Sequence, residues 1–475
     1  MTKQMKLGWE PWCTWVVVAV ALFFSFFYWI AEEQLAYKEY TVKAYEADSF
    51  TKELSSGSVA KQTVNMQYDQ VDRIYLMIGT FGRANSGSLT LQIFDEDTLL
   101  AQKSTVTESL KSDGYLDFVL DSPISRIKGK MLTLNFTAEN AGPGNGVALL
   151  YNIRDNSSGK FVINGEELSG QMSYIIMGKE ALPYKQLYWP VAAVIFVVIT
   201  GISAFTVGQK RSGKDNRIIQ LSRVVYQYRF LIEQLVSRDF KTKYKRSVLG
   251  MFWSFLNPLV TMGVQYFVFS TIFNNEIPYF PVYLLIGVLM FGFFTEAVGQ
   301  GIISIVSNAS LITKVYLPKY IYPFTKVMSA AINLLISLVP LVVMVLIIGL
   351  PLTKALFLIP LGLFFLLVFC LGMALIMSTA MVFFRDTQFL WGIVSMLWTY
   401  LTPIFYAESI IPPEFLGLYR CNPMYQYITF LRTIIIDGRS PEMSSYFMCA
   451  FSALAVLILG LWLFKKKQDR FVFYL

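Results

Sequence analysis

Histidine is absent from all 475 residues. That absence removes every Ser-His-Asp or Cys-His nucleophile scheme and every His-ligated metal site. Cysteine is scarce: its four copies, Cys13, Cys370, Cys421 and Cys449, lie in or beside apolar runs, with no disulfide-framework or zinc-knuckle spacing. No G-x-x-x-x-G-K-[ST] run occurs, because neither Gly129-Lys130 nor Gly213-Lys214 is followed by a hydroxyl residue. The chain is therefore not expected to hydrolyse nucleotide by itself. Charge is also thin, at 15% of residues against 55% hydrophobic, where soluble domains carry about 25% and about 45–50%. Lipid is the solvent this composition suits.

What is there is a series of long apolar runs. A spanning helix needs about 20 predominantly apolar residues. Residues 12–31 and 187–208 are uncharged, and a long polar stretch separates them. Further runs follow at 247–275, 277–313 (broken only by Glu296), 327–353, 355–384, 387–407 and 443–464. Two spans before and six after give eight. The first is long, with only Lys3 and Lys6 as basic residues before it, and reads as a retained anchor. The basic excess, 40 Lys and Arg against 32 Asp and Glu, concentrates beside alternate ends: Lys3 and Lys6; Lys210 to Arg217; Arg238 to Arg246; Lys314 and Lys319; Lys465 to Arg470. By the positive-inside rule both termini are cytoplasmic and residues 32–186 are extracytoplasmic. The charge marks a membrane face, so no nucleic-acid partner is expected.

Residues 32–186 alternate with period two. Stretches 71–78, 88–94, 115–120, 131–136, 147–153, 161–163 and 172–177 read as strands, with turn clusters at 83–87 and 140–146 between them. Short strands at this spacing indicate a β-sandwich. The run from Gly79 to Gly87, with Asn164-Gly165, resembles jelly-roll, carbohydrate-binding-like extracytoplasmic modules. None of the nine tryptophans falls in this stretch, which leaves Tyr75, Phe81, Tyr115 and Tyr151 as candidate glycan contacts and predicts weak or no affinity for free sugars. Tyr75 and Tyr151 fit core positions equally well, and a spacer or assembly module remains the alternative.

In the linker at 209–246, Leu221, Val224, Val225, Tyr228, Leu231, Ile232 and Leu235 share one helical face, with Arg223, Gln227, Gln234 and Arg238 on the other. This is the pattern of an amphipathic helix lying in the inner interface. It runs into Arg238-Asp239-Phe240-Lys241-Thr242-Lys243-Tyr244-Lys245-Arg246, then Gly250, Trp253, Asn257 and Pro258. Farther on come Leu311-Ile312-Thr313-Lys314, Leu317-Pro318-Lys319, Phe384-Arg385-Asp386, Pro403 to Tyr406, Pro412 and Asn422-Pro423. Together these resemble the ABC transporter permeases that export polysaccharides, the O-antigen, capsule and teichoic-acid class. The resemblance covers roughly residues 221–475; the stretch 1–208 departs from the family's shortest members.

The resemblance implies an α-helical polytopic membrane protein: two N-terminal spans, then a six-span type-2 ABC exporter permease unit, with an inserted all-β jelly-roll-like domain. The expected segments are 1–31, 32–186, 187–208, 209–246 and 247–475, with an outer re-entrant segment near 407–442. It implies a homodimer in the cytoplasmic membrane, two copies of a separate ABC ATPase that carries the ATP and Mg, a lipid-linked polysaccharide as cargo, and no cofactor, metal or catalytic residue on this chain. Leu311, Ile312, Lys314, Leu317, Pro318, Lys319, Arg385 and Asp386 are the expected ATPase-coupling residues. Leu311 and Ile312 are read as an apolar pair displayed toward the ATPase. The interface helix and opening motif contribute Arg238, Lys241, Tyr244, Arg246, Gly250, Trp253 and Pro258. Gate or channel candidates are Glu296, Tyr406, Pro412, Asn422 and Pro423. For Glu296, an acid at membrane depth, pairing with Lys314 near the inner surface is the alternative. Competing functions are a sugar-binding scaffold built on the β-domain, an exporter of small lipids or drugs, and an integral glycosyltransferase. The first leaves Leu311 to Pro323 unexplained, and the last finds only isolated acids, Asp239 and Asp386.

Overall fold

The computed structural model describes residues 9–43, 47–83, 85–109, 113–142, 144–153, 159–212, 217–245, 247–272, 277, 279–314 and 317–475. The chain divides into two compact units, Leu35–Pro190 and the combination of Met1–Gln34 with Val191–Leu475.

The first unit is a two-sheet sandwich. Its strands are β1 (Tyr37–Lys43), β2 (Ser49–Phe50), β3 (Val59–Asn65), β4 (Gln70–Gly79), β5 (Ser88–Asp95), β6 (Thr98–Val106), β7 (Gly114–Ser125), β8 (Met131–Glu139), β9 (Ala148–Asn152), β10 (Phe161–Ile163), β11 (Glu166–Leu168), β12 (Gln171–Met172) and β13 (Tyr174–Ala181). One sheet runs β1-β13-β4-β9-β12, with β2 on β9 and β7 on β4; the other runs β11-β10-β3-β8-β5-β6. Every pairing is antiparallel. Alternation sends Val71, Ile74, Leu76 and Ile78 of β4 inward to meet Leu132, Leu134 and Phe136 of β8 in one shared core. Phe118 and Phe136 cross edge to face at 5.7 Å within it. Registers fix the two poles: Tyr37 pairs Ala181 at one, and Gly79 pairs Ala148 at the other.

The second unit is helical: α1 (Trp9–Ala36), α2 (Tyr184–Arg211), α3 (Arg217–Tyr244), α4 (Phe252–Ile272), α5 (Phe280–Ile303), α6 (Ala309–Lys314), α7 (Ile321–Ile348), α8 (Ile359–Phe383), α9 (Thr387–Tyr400), α10 (Pro413–Arg420), α11 (Pro423–Ile435), α12 (Met443–Lys467) and α13 (Phe471–Tyr474). The expected class, a polytopic helical protein carrying an all-β insert, is what the chain adopts. Helix α1 runs past residue 31 to Ala36, and α2 begins at Tyr184, ahead of 187.

Among the described residues six helices are long and apolar enough to cross a membrane. The eight-span expectation is corrected at one place. Run 247–275 forms α4, whose 21 residues reach about 31 Å at 1.5 Å per residue. Run 387–407 was read as a full span, but α9 stops at Tyr400 after 14 residues. At 1.5 Å per residue that is about 21 Å, short of the about 30 Å of a hydrocarbon core.

Candidate functional site

Helices α3, α4, α5, α7 and α9 surround a cavity of about 770 Å³. Trp253, Trp391 and Phe405 give it aromatic walls, and Asn257, Gln265 and Thr399 give it amide and hydroxyl groups. On its wall sits Glu296. Lys243 Nζ lies 2.5 Å from Glu296 Oε1, Gln300 Nε2 donates to the same oxygen at 2.9 Å, and Asn333 Nδ2 donates to Oε2 at 2.9 Å. Asn333 Oδ1 in turn accepts from Ser254 Oγ at 2.7 Å and from the Tyr244 hydroxyl at 2.5 Å. Tyr244 and Ser254 are themselves hydrogen-bonded. One network thus ties four helices, and a carboxylate held by three donors costs far less to bury than a bare one. The alternative partner for Glu296 is corrected: it pairs with Lys243, not Lys314. A surface of aromatic faces, amides and hydroxyls can stack a sugar ring and bind its hydroxyl rim.

Several sequence candidates meet at this cavity: Tyr244, Trp253, Pro258 and Glu296 all line it. Gly250 stands apart at φ 51°, turning the chain into α4 with its N–H on Ser247 Oγ at 3.1 Å. Lys241 is exposed. Arg238 pairs with Asp239 at 3.0 Å, and Lys326 reaches the same carboxylate at 2.9 Å. Arg246 lies outside the described residues, as do the side chains of Leu221, Val224 and Val225. On the described turns of α3, Leu235 is buried while Gln227, Gln234 and Arg238 are exposed, the expected two-faced pattern.

Comparison with known proteins decides the family. Residues 231–436 match the model described as ABC-2 type transporter. The O-antigen export system permease protein RfbA of Myxococcus xanthus is 30% identical over 256 residues, covering 54% of this chain and 98% of that protein. Its namesake from Klebsiella pneumoniae is 29% identical over 52% of this chain and 97% of that protein. The polysialic acid transport protein KpsM of Escherichia coli is 23% identical over 50% and 93%. The chain belongs to the ABC-2 type transporter family. It is a membrane subunit of a transporter, not an enzyme.

In this permease the loop between α5 and α7 differs from expectation. Ile312 is not displayed: it is buried with Tyr322, Phe464 and Phe471, and Leu311 packs on the same cluster. Apolar side chains at those two positions complete a core, leaving Ser310, Thr313 and Lys314 exposed. Leu317 and Pro318 are half-buried, and Lys319 Nζ donates to the Gln468 carbonyl at 2.7 Å. Pro323 sits in the first turn of α7, which tolerates it, and does not stop a helix. Arg385 and Asp386 are exposed on the turn from α8 to α9.

The break after α9 is held by a residue that sequence reasoning passed over. Arg432 of α11 is 8% exposed. Its guanidinium donates to the carbonyls of Pro403 (2.7 Å), Ile404 (2.9 Å) and Tyr283 (3.1 Å), and lies 3.3 Å from the Tyr283 ring centroid. Helix α9 has ended by Pro403 and Ile404, and Arg432 donates to both of their carbonyls. Asn422 caps α11 through Met424 N–H and accepts from Trp398 Nε1 at 2.8 Å, with Pro423 opening the helix. Tyr406 donates to the Tyr400 carbonyl at 2.9 Å, while Pro412 is exposed.

Among the β-domain candidates, Tyr151 takes its core alternative: its ring packs on Phe161 at 5.5 Å and on the core. Tyr75 is half-buried and takes a hydrogen bond from Arg73 at 3.0 Å. Tyr115 and Phe81 are exposed, and so is Phe50, which was not among the candidates.

Proposed function

We propose that the permease carries a lipid-linked polysaccharide outward across the cytoplasmic membrane, powered by a separate ABC ATPase. The observation that carries this reading is the cavity: aromatic faces beside Glu296 and its amide and hydroxyl neighbours, in a chain whose relatives are named for O-antigen export and polysialic acid transport. An apolar lipid or drug would gain nothing from that polar wall. A homodimer would place two such cavities about a two-fold axis, with both termini cytoplasmic and residues 32–186 outside. The exposed Ser310, Thr313, Lys314, Arg385 and Asp386 would meet two ATPase copies, and Ile312, seated against Phe464 and Phe471, would pass their movement to α12.

The test is glycan export by the permease co-expressed with its ATPase. Trp253→Ala and Glu296→Gln are expected to cut export roughly tenfold, equivalent to about 1.4 kcal/mol, while both proteins still co-purify. Export at the wild-type rate by both variants would remove the cavity from the path.

A further inference from the structure

Phe50 is 68% exposed, more than any other large apolar side chain among the described residues of the β unit, and Phe81 is 49% exposed. Their rings stand at 90° with centroids 6.4 Å apart. Phe81 occupies the first central position of a tight turn: Arg83 N–H donates to the Thr80 carbonyl at 3.3 Å, and φ is 55° at Phe81 and 69° at Gly82. Such a turn favours Asn, Asp or Gly there, and an aromatic residue carries a backbone cost. Strain of this kind persists where the surroundings over-determine it, and it gathers at functional positions.

The surroundings here are rigid. Thr80 and Asn85 are fully buried. Asn85 Nδ2 donates to the Thr80 carbonyl at 3.2 Å, and Thr80 N–H donates to Asp113 Oδ1 at 2.8 Å. Arg83 lies 5.2 Å from the Phe81 ring centroid, its Nη2 on Glu53 at 2.5 Å and its Nε on Asn85 at 3.0 Å. Nη1 has no partner among the described residues. Glu53 is held by the Gly146 N–H at 2.6 Å. A ring carried on a turn held by this many hydrogen bonds, yet left in solvent, is placed for something outside the chain.

Register says which end of the sandwich this is. From Ala181 back along β13 to Tyr174, then from its partner Leu76 to Gly79, is roughly 30 Å at about 3.3 Å per residue. Phe50 pairs Leu150 beside the Ala148–Gly79 pair. The aromatic corner is therefore at the pole opposite Tyr37 and Ala181, where the chain leads into α1 and α2. Two rings with a charged rim match a sugar in size and chemistry: an apolar C–H face with hydroxyls around it.

We propose that Phe50, Phe81 and Arg83 form a sugar-recognition corner that holds one ring of the polysaccharide, C–H face on the phenylalanines and a hydroxyl on Arg83 Nη1. This rests on the export reading above and adds a second glycan site, remote in sequence from the cavity.

The test uses the full chain in nanodiscs, with O-antigen repeat-unit fragments and oligosialic acid as probes in saturation-transfer NMR and calorimetry. At least one probe is expected to bind, and Phe81→Gly and Phe50→Ala are each expected to weaken it tenfold or more. Phe81→Gly keeps or raises the melting temperature, since glycine accepts the positive φ freely; a packing residue would lower it. Met131→Ala, at a comparably exposed position of β8, leaves binding unchanged. Failure of every probe, wild-type binding by both phenylalanine variants, or a lowered melting temperature in Phe81→Gly overturns the corner. So does loss of lipid-vesicle binding in place of sugar binding. Wild-type export that is indifferent to both substitutions overturns this inference alone, whereas a wild-type complex that exports no polysaccharide overturns the reading beneath it.

Discussion

Phe389 of the helical unit is 75% exposed and Phe50 of the β unit is 68% exposed, yet the two exposures carry opposite meanings. Around Phe389 exposure of apolar side chains is common: Phe267 and Ile347 stand out at 80% and 74%, as helices do that have lipid for solvent. There the polar groups are the ones turned inward, Glu296, Asn333, Ser254 and Arg432 among them. In the β unit alternation buries Ile74, Leu76 and Ile78 and gives the outer face to polar groups, so an exposed ring pair is the departure. A residue type becomes informative only against the solvent its unit expects. Polar burial is the signal in one unit, apolar exposure in the other.

The sharpest way to break this contrast is at Arg432. Arg432→Met leaves the Ile404 carbonyl without its donor and removes a charge-assisted hydrogen bond from the carbonyls of Pro403, which keeps the Tyr283 hydroxyl at 3.3 Å, and of Tyr283. At about 1.5–3 kcal/mol per hydrogen bond to a charged group, the loss is about 3 kcal/mol or more. The variant is expected to accumulate poorly and to aggregate at lower temperature in detergent. Arg432→Lys recovers part of this, because an ammonium donates but lacks the planar fork. Wild-type stability in Arg432→Met would mean that the break after α9 holds itself.

A smaller effect tests packing where no polar group is involved. At the α8–α12 crossing, a Cβ on Gly372 would lie 2.6 Å from the backbone nitrogen of Leu457, and one on Gly460 would lie 2.5 Å from the Gly372 carbonyl. Backbone cannot swing aside as a side chain can. Gly372→Leu is expected to cost about 1–3 kcal/mol, read as a lower melting temperature of the purified permease. An unchanged value would show that the helices separate without penalty.

These positions also mark how far the sequence could be read. Alternation at 71–78, 88–94 and 131–136 became β4, β5 and β8, because a period of two is a local property. Strand β3 was missed: its core-facing Gln62 is fully buried, bonded to the Met172 N–H, and a polar residue there hides the period. The run 387–407 looked like a span because hydropathy does not register where a helix ends. Arg432 counted only as a charge against burial, since its partners lie 28, 29 and 149 positions away. Lys243 and Glu296 are 53 apart, so nothing local could pair them. Ile312 failed differently: an apolar residue in a basic loop looks displayed until Phe464 and Phe471 fold back over it.

The smallest expected effect sits in the β unit and depends on pH. The N–H of Gly146 is the main influence holding the Glu53 carboxyl below the ordinary carboxylate range, with the Gly144 N–H and Arg83 adding to it. A carboxyl whose folded pKa is depressed stabilises the fold above its unfolded value, near 4.3 for glutamate, and loses that contribution as pH falls toward the lower folded value. Glu53→Gln removes the titration while keeping an oxygen for the Gly146 N–H. The wild-type chain is expected to be more heat-resistant than Glu53→Gln at neutral pH, and the gap should close below about pH 4. Glu53 lies at the surface, so solvent screens the pair and the difference is small. The sign is the informative part. A gap that widens on acidification would mean the carboxyl is strained by its neighbours, and the Arg83 side of the aromatic corner would then lack the rigid backing that Phe81 needs.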